Sequence, residues 1–383
     1  MALALPLETD VDDDTSLDIT ANLESLQFES GLSEIEKRYL NIRTRSHALT
    51  VYACAQATYF VSILNEARHI VSFMKQEKRR ASLKILNDSK FLNALKIGII
   101  GCGRIGSQLA SCLLSFGEVS PAELKIATRR PETLSDLEKR GVYCTDQCEE
   151  VASSSHLIFL CILPNQLPLV AESIRNKISP HCYIYSLVSA TPAKKVQTIL
   201  NHDLIIHPIY EFHNHTEDIS DWNVAKDVLG SFSNMRMLTQ TCPTPAGEVG
   251  VIKSSEKIME VFIYSLINMC TQLGVNRNQT VDILNAVVLG NDGKTQVNEL
   301  ITENNIIRAA AINMDETNFP IFNLLDVATR PAVPVTKFLR KSHVQSSIKN
   351  RYCLIFDQYL DWKKQLIKQN SNDPAKKFAL TFA

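Results

Sequence analysis

Glycine is scarce in this chain, with 13 residues in 383, and charge of neither sign is in excess. The 40 Lys and Arg residues are matched by 41 Asp and Glu residues, which gives a net charge of −1 at pH 7. A chain without a basic excess has no overall attraction to nucleic acid or to an anionic membrane surface. We therefore expect a protein that binds neither, and any cluster of the few glycines should mark a special backbone conformation.

Targeting and membrane-spanning signals are also missing. The first 18 residues have no basic segment and no long apolar core, so they predict neither a secretory signal nor a transit peptide. A long stretch without charge, residues 48–64, is 17 residues long and contains Thr50, Gln56 and Thr58. Because a membrane-spanning helix needs about 20 apolar residues, this stretch predicts a buried helix in a soluble protein.

Metal-binding and disulfide patterns are absent among the ten cysteines, since none forms a Cys-x-x-Cys pair. Several cysteines lie inside apolar runs, as Cys161 does. This placement is typical of reduced thiols that serve as small core residues. The pattern predicts no metal site and a cytoplasmic location.

The N-terminal region divides into an acidic tail and a helical segment. The first 36 residues hold ten Asp or Glu and no Lys or Arg, which predicts disorder over 1–32. A docking tail for a basic partner is the alternative. Ser33 and Glu36 match a capping box, and apolar residues between Phe60 and Met74 recur every three or four positions. These features predict a helical extension over 33–92.

From residue 95 the pattern changes to strands that alternate with helices. Apolar runs bounded by turn residues predict buried strands. The predicted strands are 95–100, 124–128, 142–145, 156–162, 183–188 and 204–207, and the predicted helices are 104–116, 131–140, 165–177 and 191–200. Such alternation indicates parallel crossovers, so the sequence predicts an α/β fold with a Rossmann-type, doubly wound, mostly parallel sheet over 93–245.

Beyond residue 207 the alternation stops. Residues 208–250 are irregular in pattern, with one candidate strand at 235–241, and we expect a domain boundary near 245. The segments with helical patterns are 251–274, 277–290, 292–311 and 335–369. They predict an all-helical C-terminal domain over 246–370 that holds a small-molecule substrate and forms a homodimer, with a private core as the alternative to the homodimer. A tail is expected over 371–383.

Three of the few glycines lie where the first predicted strand passes into a helix. Gly101 permits the tight turn, Gly103 lets a pyrophosphate approach the backbone, and Gly106 lets the helix pack against the strand. The helix N-terminus offers unpaired N–H groups and the positive end of its dipole to such an anion. A tight turn without a ligand is the alternative. The predicted dinucleotide site is formed by Gly101, Cys102, Gly103, Arg104, Ile105 and Gly106.

The end of the second predicted strand selects the cofactor. An Asp or Glu there would hold the ribose 2′-OH of NAD, but this sequence has Thr128, Arg129 and Arg130. Guanidinium groups bind a 2′-phosphate through charge-assisted hydrogen bonds. These residues predict NADP(H) as the cofactor. The alternative is a solvated pair of cations at a helix start, where the helix dipole disfavours them.

Two further candidate positions follow later strands. Leu163, Pro164 and Asn165 come after the strand at 156–162, at the edge where ligands bind in open α/β sheets. We expect them to border the ribose or the nicotinamide. His207 ends the strand at 204–207 and is a weak candidate for a catalytic proton donor.

His207 also belongs to a small cluster with Glu211, His213 and His215. A metal is imaginable there, because imidazole and carboxylate groups are common metal ligands. The cluster lies in a polar connection and lacks the helical His-x-x-x-His spacing, so it favours a surface loop.

Four segments in their order along the chain resemble the pyrroline-5-carboxylate reductase family. They are IGIIGCGRIGSQL, TRRP, LIFLCILPNQLPLV and the block at 184–192. The resemblance covers 95–210 and is strongest with a branch of that family, the NADP-dependent oxidoreductase domain-containing proteins. It implies an NADP-binding Rossmann domain, a helical C-terminal domain that often dimerises, and hydride transfer from NAD(P)H to a C=N bond.

The resemblance weakens on the substrate side. The family usually has a lysine where this chain has Leu163, and of its Met-Pro-Asn-Thr-Pro segment only Pro208 survives. The family's small-residue helix motif has no match in 254–265, and its later substrate loop has only the weak counterpart NDGKTQ at 291–296. The cofactor half is therefore carried over, and the proline-making half is not.

The sequence thus predicts an NADP(H)-dependent oxidoreductase that transfers a hydride to a small carbonyl or imine. The alternative is a catalytically inactive NADP(H)-binding sensor or scaffold, which the lost substrate motifs favour. A relative of F420-type or ferric reductases, which share the small NADP domain, is a third hypothesis. No membrane spans follow that domain to carry an electron pathway, which disfavours it.

Overall fold

The computed structural model of the chain describes residues 31–82, 94–212, 222, 227–244, 251–291, 298–307 and 317–371. Its longest helix is α1, Glu34–Ser82. The predicted capping box is confirmed, because Ser33 N donates to Glu36 Oε2 at 2.8 Å and Glu36 N donates to Ser33 Oγ at 3.4 Å. Residues 1–30 and 372–383, which hold most of the two predicted tails, lie outside the described residues.

A six-stranded parallel sheet follows α1, with the strand order β3-β2-β1-β4-β5-β6. The strands are β1 (Ile97–Ile100), β2 (Leu124–Ala127), β3 (Tyr143–Thr145), β4 (Leu157–Leu160), β5 (Tyr183–Ser186) and β6 (Ile205–Ile206). Every residue of β1, β4 and β5 is buried, as expected for parallel strands covered on both faces. The predicted Rossmann-type fold class is confirmed.

Helices cover both faces of this sheet. One face packs against α4 (Cys148–Ser154), α5 (Leu167–Ile174) and α6 (Ala193–Leu200), in a core of their own. The other face packs against α2 (Arg104–Phe116), α1 and the C-terminal helices, in the larger core. The short helix α3 (Ser135–Lys139) leads into β3. The chain order reverses between β1 and β4, which is where open α/β sheets form their ligand crevice.

The middle of α1 is enclosed by the rest of the chain. All residues of 51–65 are buried, including the polar Gln56 and Thr58. Gln56 Nε2 donates to Thr241 O at 3.0 Å, and Tyr210 Oη donates to Gln56 Oε1 at 3.2 Å, which explains a glutamine in an apolar run. The predicted buried helix is confirmed. Among the described helices, none is both long and apolar enough to cross a bilayer.

The segment after the sheet contains a two-stranded antiparallel ribbon of β7 (Tyr210–Phe212) and β8 (Ile252–Ser254). Between them lie α7 (Val228–Phe232) and α8 (Met235–Gln240), so the strand predicted at 235–241 is wrong. Asn234 explains the difference, because its Oδ1 accepts hydrogen bonds from Arg236 N and Met237 N and caps α8. Residues 245–250, where the boundary was expected, lie outside the described residues, and the domain division stays a prediction.

The C-terminal region is mainly helical. Its helices are α9 (Ile258–Gln272), α10 (Arg277–Leu289), α11 (Glu303–Ile306), α12 (Leu324–Thr329), α13 (Pro334–Leu339) and α14 (Ser342–Ser371). The helix predicted over 251–274 is wrong at its start, where β8 pairs with β7. The helix predicted over 292–311 is wrong at 298–302. There Asn285 exchanges two hydrogen bonds with the backbone of Ile301 and holds it outside a helix.

Candidate functional site

The turn after β1 has a backbone that requires glycine. Gly101 has φ +92°, and its N–H donates to Ala127 O at 2.8 Å. A Cβ at this position would lie 2.6 Å from Cγ2 of Ile162 and 2.7 Å from Cys161 O. Both the conformation and the lack of space therefore exclude any larger residue at Gly101.

The other two glycines of the turn face different surroundings. A Cβ at Gly106 would overlap the carbonyl oxygen of Gly101, so α2 can pack against the turn only with glycine there. A Cβ at Gly103 would meet no atom within 4 Å, and the residue is exposed. The described structure thus leaves an open approach to the backbone at Gly103, as a bound pyrophosphate would need.

The first turn of α2 contains no acidic side chain to interact with its N-terminal N–H groups. Gly103 is its N-cap and has no side chain to accept from the first N–H groups, and its first turn contains no acidic residue. Arg104 is exposed in that turn, where the helix dipole disfavours a cation. Burial raises the pKa of the neighbouring Cys102 thiol to about 11, with a smaller effect from Cys144, so this thiol stays neutral at pH 7. The N-terminal amides of α2 and the exposed Arg104 guanidinium, which pairs with no described acid, fit an anionic ligand.

Two exposed guanidinium groups lie at the end of β2. Thr128 N donates to Thr145 O at 2.9 Å, which fixes the backbone at the end of the strand. Arg129 and Arg130 follow and are exposed, and no described side chain forms a hydrogen bond or an ion pair with either guanidinium. Because β1 and β2 are adjacent, both arginines lie at the same sheet edge as the glycine turn.

The segment after β4 lies beside the glycine turn. Ile100 is opposite Leu160 in the β1–β4 register, and Cys161 N donates to Ile100 O at 2.9 Å. Leu163 is exposed by 61%, and Asn165 is exposed as well. These side chains therefore border the crevice at the point where the strand order reverses. Pro164, between them, is partly exposed.

His207 lies at the same sheet edge but away from the glycine turn. It follows β6, which is three strands from β1 and therefore about 14 Å away at the usual strand spacing. The ring is half-buried, and its Nδ1 is buried without a hydrogen bond to any described residue. Burial lowers its pKa, and a hydrogen bond that the ring donates to the backbone carbonyl of Ser186 opposes this shift in part, so the imidazole is neutral at pH 7.

The histidine cluster after β6 is only partly described, since His213 and His215 lie outside the described residues. Within the part of the chain that the structure describes, no group of three His, Cys, Asp or Glu residues could hold a metal ion. A role for this cluster stays untested.

The sequence interpretation missed a buried charged cluster in the C-terminal helices, formed by Lys257, Glu260, Arg330 and Thr336. Glu260 is fully buried in α9, and its carboxylate accepts from Lys257 Nζ at 2.8 Å and from Arg330 Nη2 at 2.7 Å. Thr336 Oγ1 donates to Glu260 Oε2 at 2.6 Å. A single glutamate inside the apolar run 258–270 is the sequence signal that marks this Glu260 cluster.

Comparisons with known proteins agree with this architecture. A family model described as NADP oxidoreductase, coenzyme F420-dependent, matches residues 96–189. The chain is 30% identical over 341 residues to NADP-dependent oxidoreductase domain-containing protein 1 of Mus musculus. The matched region covers 89% of this chain and 85% of that relative.

Other curated relatives match a shorter part of the chain. Pyrroline-5-carboxylate reductase of Escherichia coli is 26% identical over 109 residues, which is 28% of this chain and 40% of that enzyme. Among solved structures, a pyrroline-5-carboxylate reductase from Coxiella burnetii aligns over 70% of this chain and 98% of its own, at 16% identity and a TM-score of 0.29. A similarity this low carries no further argument about the fold.

Proposed function

The chain belongs to the family of NADP-dependent oxidoreductase domain-containing proteins, and on this premise we propose that it is an NADP(H)-dependent reductase of small carbonyl or imine compounds. The observation that carries the proposal is the open backbone at Gly103 between two sterically obligatory glycines. A turn built only for tight packing has no need of glycine at a position where a side chain would meet nothing.

The residues of the turn and of the two neighbouring strand ends fit the cofactor in three parts. The amides between Gly101 and Gly106 would hold the pyrophosphate, and Arg129 with Arg130 would hold the 2′-phosphate. Leu163, Pro164 and Asn165 would border the ribose and the nicotinamide. When bound, the reduced cofactor supplies a hydride to the carbon of a C=O or C=N bond, while a proton goes to the oxygen or nitrogen.

The proton would come from a group at the far end of the same sheet edge. His207 is the described candidate, since its ring lies at this edge and its buried Nδ1 makes no hydrogen bond to a described residue. Its ring would take up a proton before it donates one, and burial, which lowers its pKa, works against that step.

The arginine pair offers a sharp test of the cofactor site. Replacing both Arg129 and Arg130 by alanine should weaken NADPH binding by on the order of a hundredfold and leave NADH binding unchanged, because only NADPH carries the 2′-phosphate. Isothermal titration of the wild type, the double variant and Arg140→Ala, an exposed arginine at the end of α3, measures this. Equal losses for both cofactors would contradict the assignment.

Turnover is tested separately with NADPH and a panel of small carbonyl and imine compounds. Oxidation of NADPH by at least one compound, abolished by Gly103→Val, is the expected result. NADPH binding without oxidation by any compound would instead favour the inactive sensor or scaffold, which the missing substrate motifs motivate.

A further inference from the structure

Helix α1 begins with an exposed apolar stripe, formed by Ile35, Tyr39 and Ile42. These side chains are 66%, 62% and 56% exposed, although isoleucine is among the residues that proteins most often bury. The intervals of four and then three residues place all three on one face of the helix. Apolar side chains that are exposed together, rather than singly, are typical of a binding surface.

Two arginines lie beside the α1 stripe and pair with no described acid. Arg43 is exposed. Arg45 follows Ile42 by three residues on the same face, and its Cζ lies 5.7 Å from the centre of the Phe212 ring. The buried Nε of Arg45 has no hydrogen-bond partner among the residues that the structure describes. The surface therefore combines apolar side chains with positive charge, and an apolar and acidic segment would match it.

The N-terminal segment of the chain has such a sequence. Three of its apolar residues repeat the intervals of four and then three residues of the α1 stripe: Ile19, Leu23 and Leu26. Residues 1–36 hold ten acids and no Lys or Arg, whereas residues 37–45 hold four Lys or Arg and no acid. The two stretches are therefore complementary both in their apolar pattern and in their charge.

The connection between the two stretches suits an antiparallel pair of helices. The capping box of Ser33 and Glu36 makes α1 begin at a defined point. Gly31, just before it, is exposed, and a Cβ there would meet no atom within 4 Å. A helix over 16–29 would be joined to α1 by residues 30–33, and antiparallel helices are commonly joined by two to five residues.

An antiparallel arrangement around this connection brings the apolar residues together. Leu26 and Tyr39 are equally far along the chain from the centre of 30–33, and Leu23 and Ile42 are equally far from it as well. Because a helix rises by the same distance per residue in both directions, each of these pairs would lie at the same height. The two apolar faces would thus meet along their length.

The size of the α1 stripe decides what covers it. Three side chains are too few to hold a second copy of the chain, since a standard interface between separate chains uses about 20–30 residues a side. A segment joined to α1 by a short connection needs far less contact, because a short linker holds it at an effective concentration in the millimolar range. The stripe therefore fits a segment of the same chain.

We propose that residues 16–29 dock on α1 as an antiparallel helix, which covers the α1 stripe and brings acidic residues to Arg43 and Arg45. The inference does not depend on the proposed reductase function. The charge of the N-terminal region predicts disorder when that region stands alone, and the cations of α1 offset part of the repulsion between its acids.

Hydrogen exchange of the full chain, read by mass spectrometry, tests this. The reference is a synthetic peptide of residues 16–29, which is too short to form a stable helix alone. In the full chain the amides of 16–29 should exchange on the order of tenfold more slowly than in the peptide. Changing Tyr39 and Ile42 together to serine should return them to the rate of the peptide, although neither residue lies in the segment that is measured.

Phe73→Ser is the matched control. Phe73 is another apolar residue of α1 and is 59% exposed, but it lies about 50 Å from Tyr39 along the helix axis. Its loss should leave exchange in 16–29 unchanged. Arg43→Glu, which reverses one cation beside the stripe, should speed that exchange. Because the substituted residues are exposed, the near-UV circular dichroism of each variant should match the wild type, which checks the fold.

Three results would overturn the inference. The first is exchange of 16–29 in the wild type at the rate of the peptide. The second is protection that survives the loss of Tyr39 and Ile42, because the segment would then be held elsewhere. The third is protection that appears only at high protein concentration together with a dimer in light scattering, because a second copy would then cover the stripe. Equal protection at low and high concentration in a monomer supports the tethered segment.

Discussion

Substitutions at two glycines of the turn should have different effects, one on the stability of the fold and the other on ligand binding. A side chain at Gly101 would collide with Ile162 and would need a left-handed backbone, so a change there acts on the fold. A side chain at Gly103 would enter open space at an ordinary φ of −82°, so a change there acts on whatever occupies that space. The two positions therefore make a matched pair.

We predict that Gly103→Val leaves the thermal midpoint of the free chain within about 2 °C, since the new side chain meets no protein atom and exposed changes are usually small. The same variant should lose the thermal stabilisation by NADPH that the wild type shows. Gly101→Ala is the contrasting variant and should lower the midpoint without ligand. Full stabilisation of Gly103→Val by NADPH would show that the open space is not the pyrophosphate site.

His156, which precedes β4, gives a prediction about pH. Burial, then Arg68 and Lys96, lowers its pKa from 6.5 to about 4, and its Nδ1 accepts from Lys96 N at 3.1 Å. The unfolded chain therefore binds the proton more tightly than the folded chain does. Stability should be complete above pH 6.5 and should fall as the pH drops towards 4.

The variant His156→Asn isolates this contribution, because Asn Oδ1 can still accept from Lys96 N and does not titrate. Urea unfolding at pH 7.0 and pH 5.0 should show a smaller loss of midpoint in the variant than in the wild type. Other histidines with lowered pKa values, such as His202, contribute equally to both chains and cancel in the comparison. An identical loss in the two chains would rule out His156 as the group responsible.

The glycine turn could be predicted from the sequence because the contacts that require glycine are local. The Glu260 cluster could not be predicted in this way. The demands on Gly101 and Gly106 arise from atoms near in sequence or on an adjacent strand. Glu260 meets Arg330 and Thr336, which are 70 and 76 residues away. Spacing along the chain does not report contacts of that length, so a lone glutamate in an apolar run is the most that the sequence reveals.

At the scale of elements, periodicity predicts the buried strands well and the short helices poorly. The six strands lie within apolar runs, and burial on both faces makes those runs continuous. Helix α8 has only six residues, too few for a helical period to show. Its formation depends on Asn234, whose capping role becomes visible only when the backbone is known.

Helix α8 therefore gives a prediction at its own scale. Asn234→Ala removes the acceptor for two backbone N–H groups and should lower the free energy of unfolding by about 1 kcal/mol. Asn234→Asp keeps an acceptor and should stay close to the wild type. Urea unfolding at constant pH measures both variants, and equal stability of the alanine variant would show that water replaces the cap.

At the scale of the whole molecule, the sequence does not reveal that α1 is part of the central core. Its helical pattern predicts an extension, yet 51–65 is buried among α2, α7, α9, α10 and α14. Helix α9, whose apolar run motivated the predicted homodimer, is buried over 258–270 within this one chain. Its apolar surface is buried without a second copy of the chain, and the homodimer stays a prediction.

Deletion of residues 1–82 should therefore abolish folding of the remainder. Seven large apolar residues of α1 are buried at 1% exposure or less: Val51, Tyr52, Tyr59, Phe60, Val61, Ile63 and Leu64. At about 2 kcal/mol each, their loss is comparable to the 5–15 kcal/mol that a typical domain has in total. The Arg351 Nη2–Glu66 Oε1 hydrogen bond of 2.6 Å, which links α14 to α1, would be lost as well.

Near-UV circular dichroism and urea unfolding of a chain beginning at residue 83 measure this, with a chain beginning at residue 31 as the control. The longer chain keeps all of α1 and should unfold cooperatively, like the full chain. The shorter chain should show no cooperative transition, because the core on one face of the sheet would be open to water. A cooperative transition and NADPH binding in the shorter chain would show that the Rossmann region folds alone and that α1 is an extension after all.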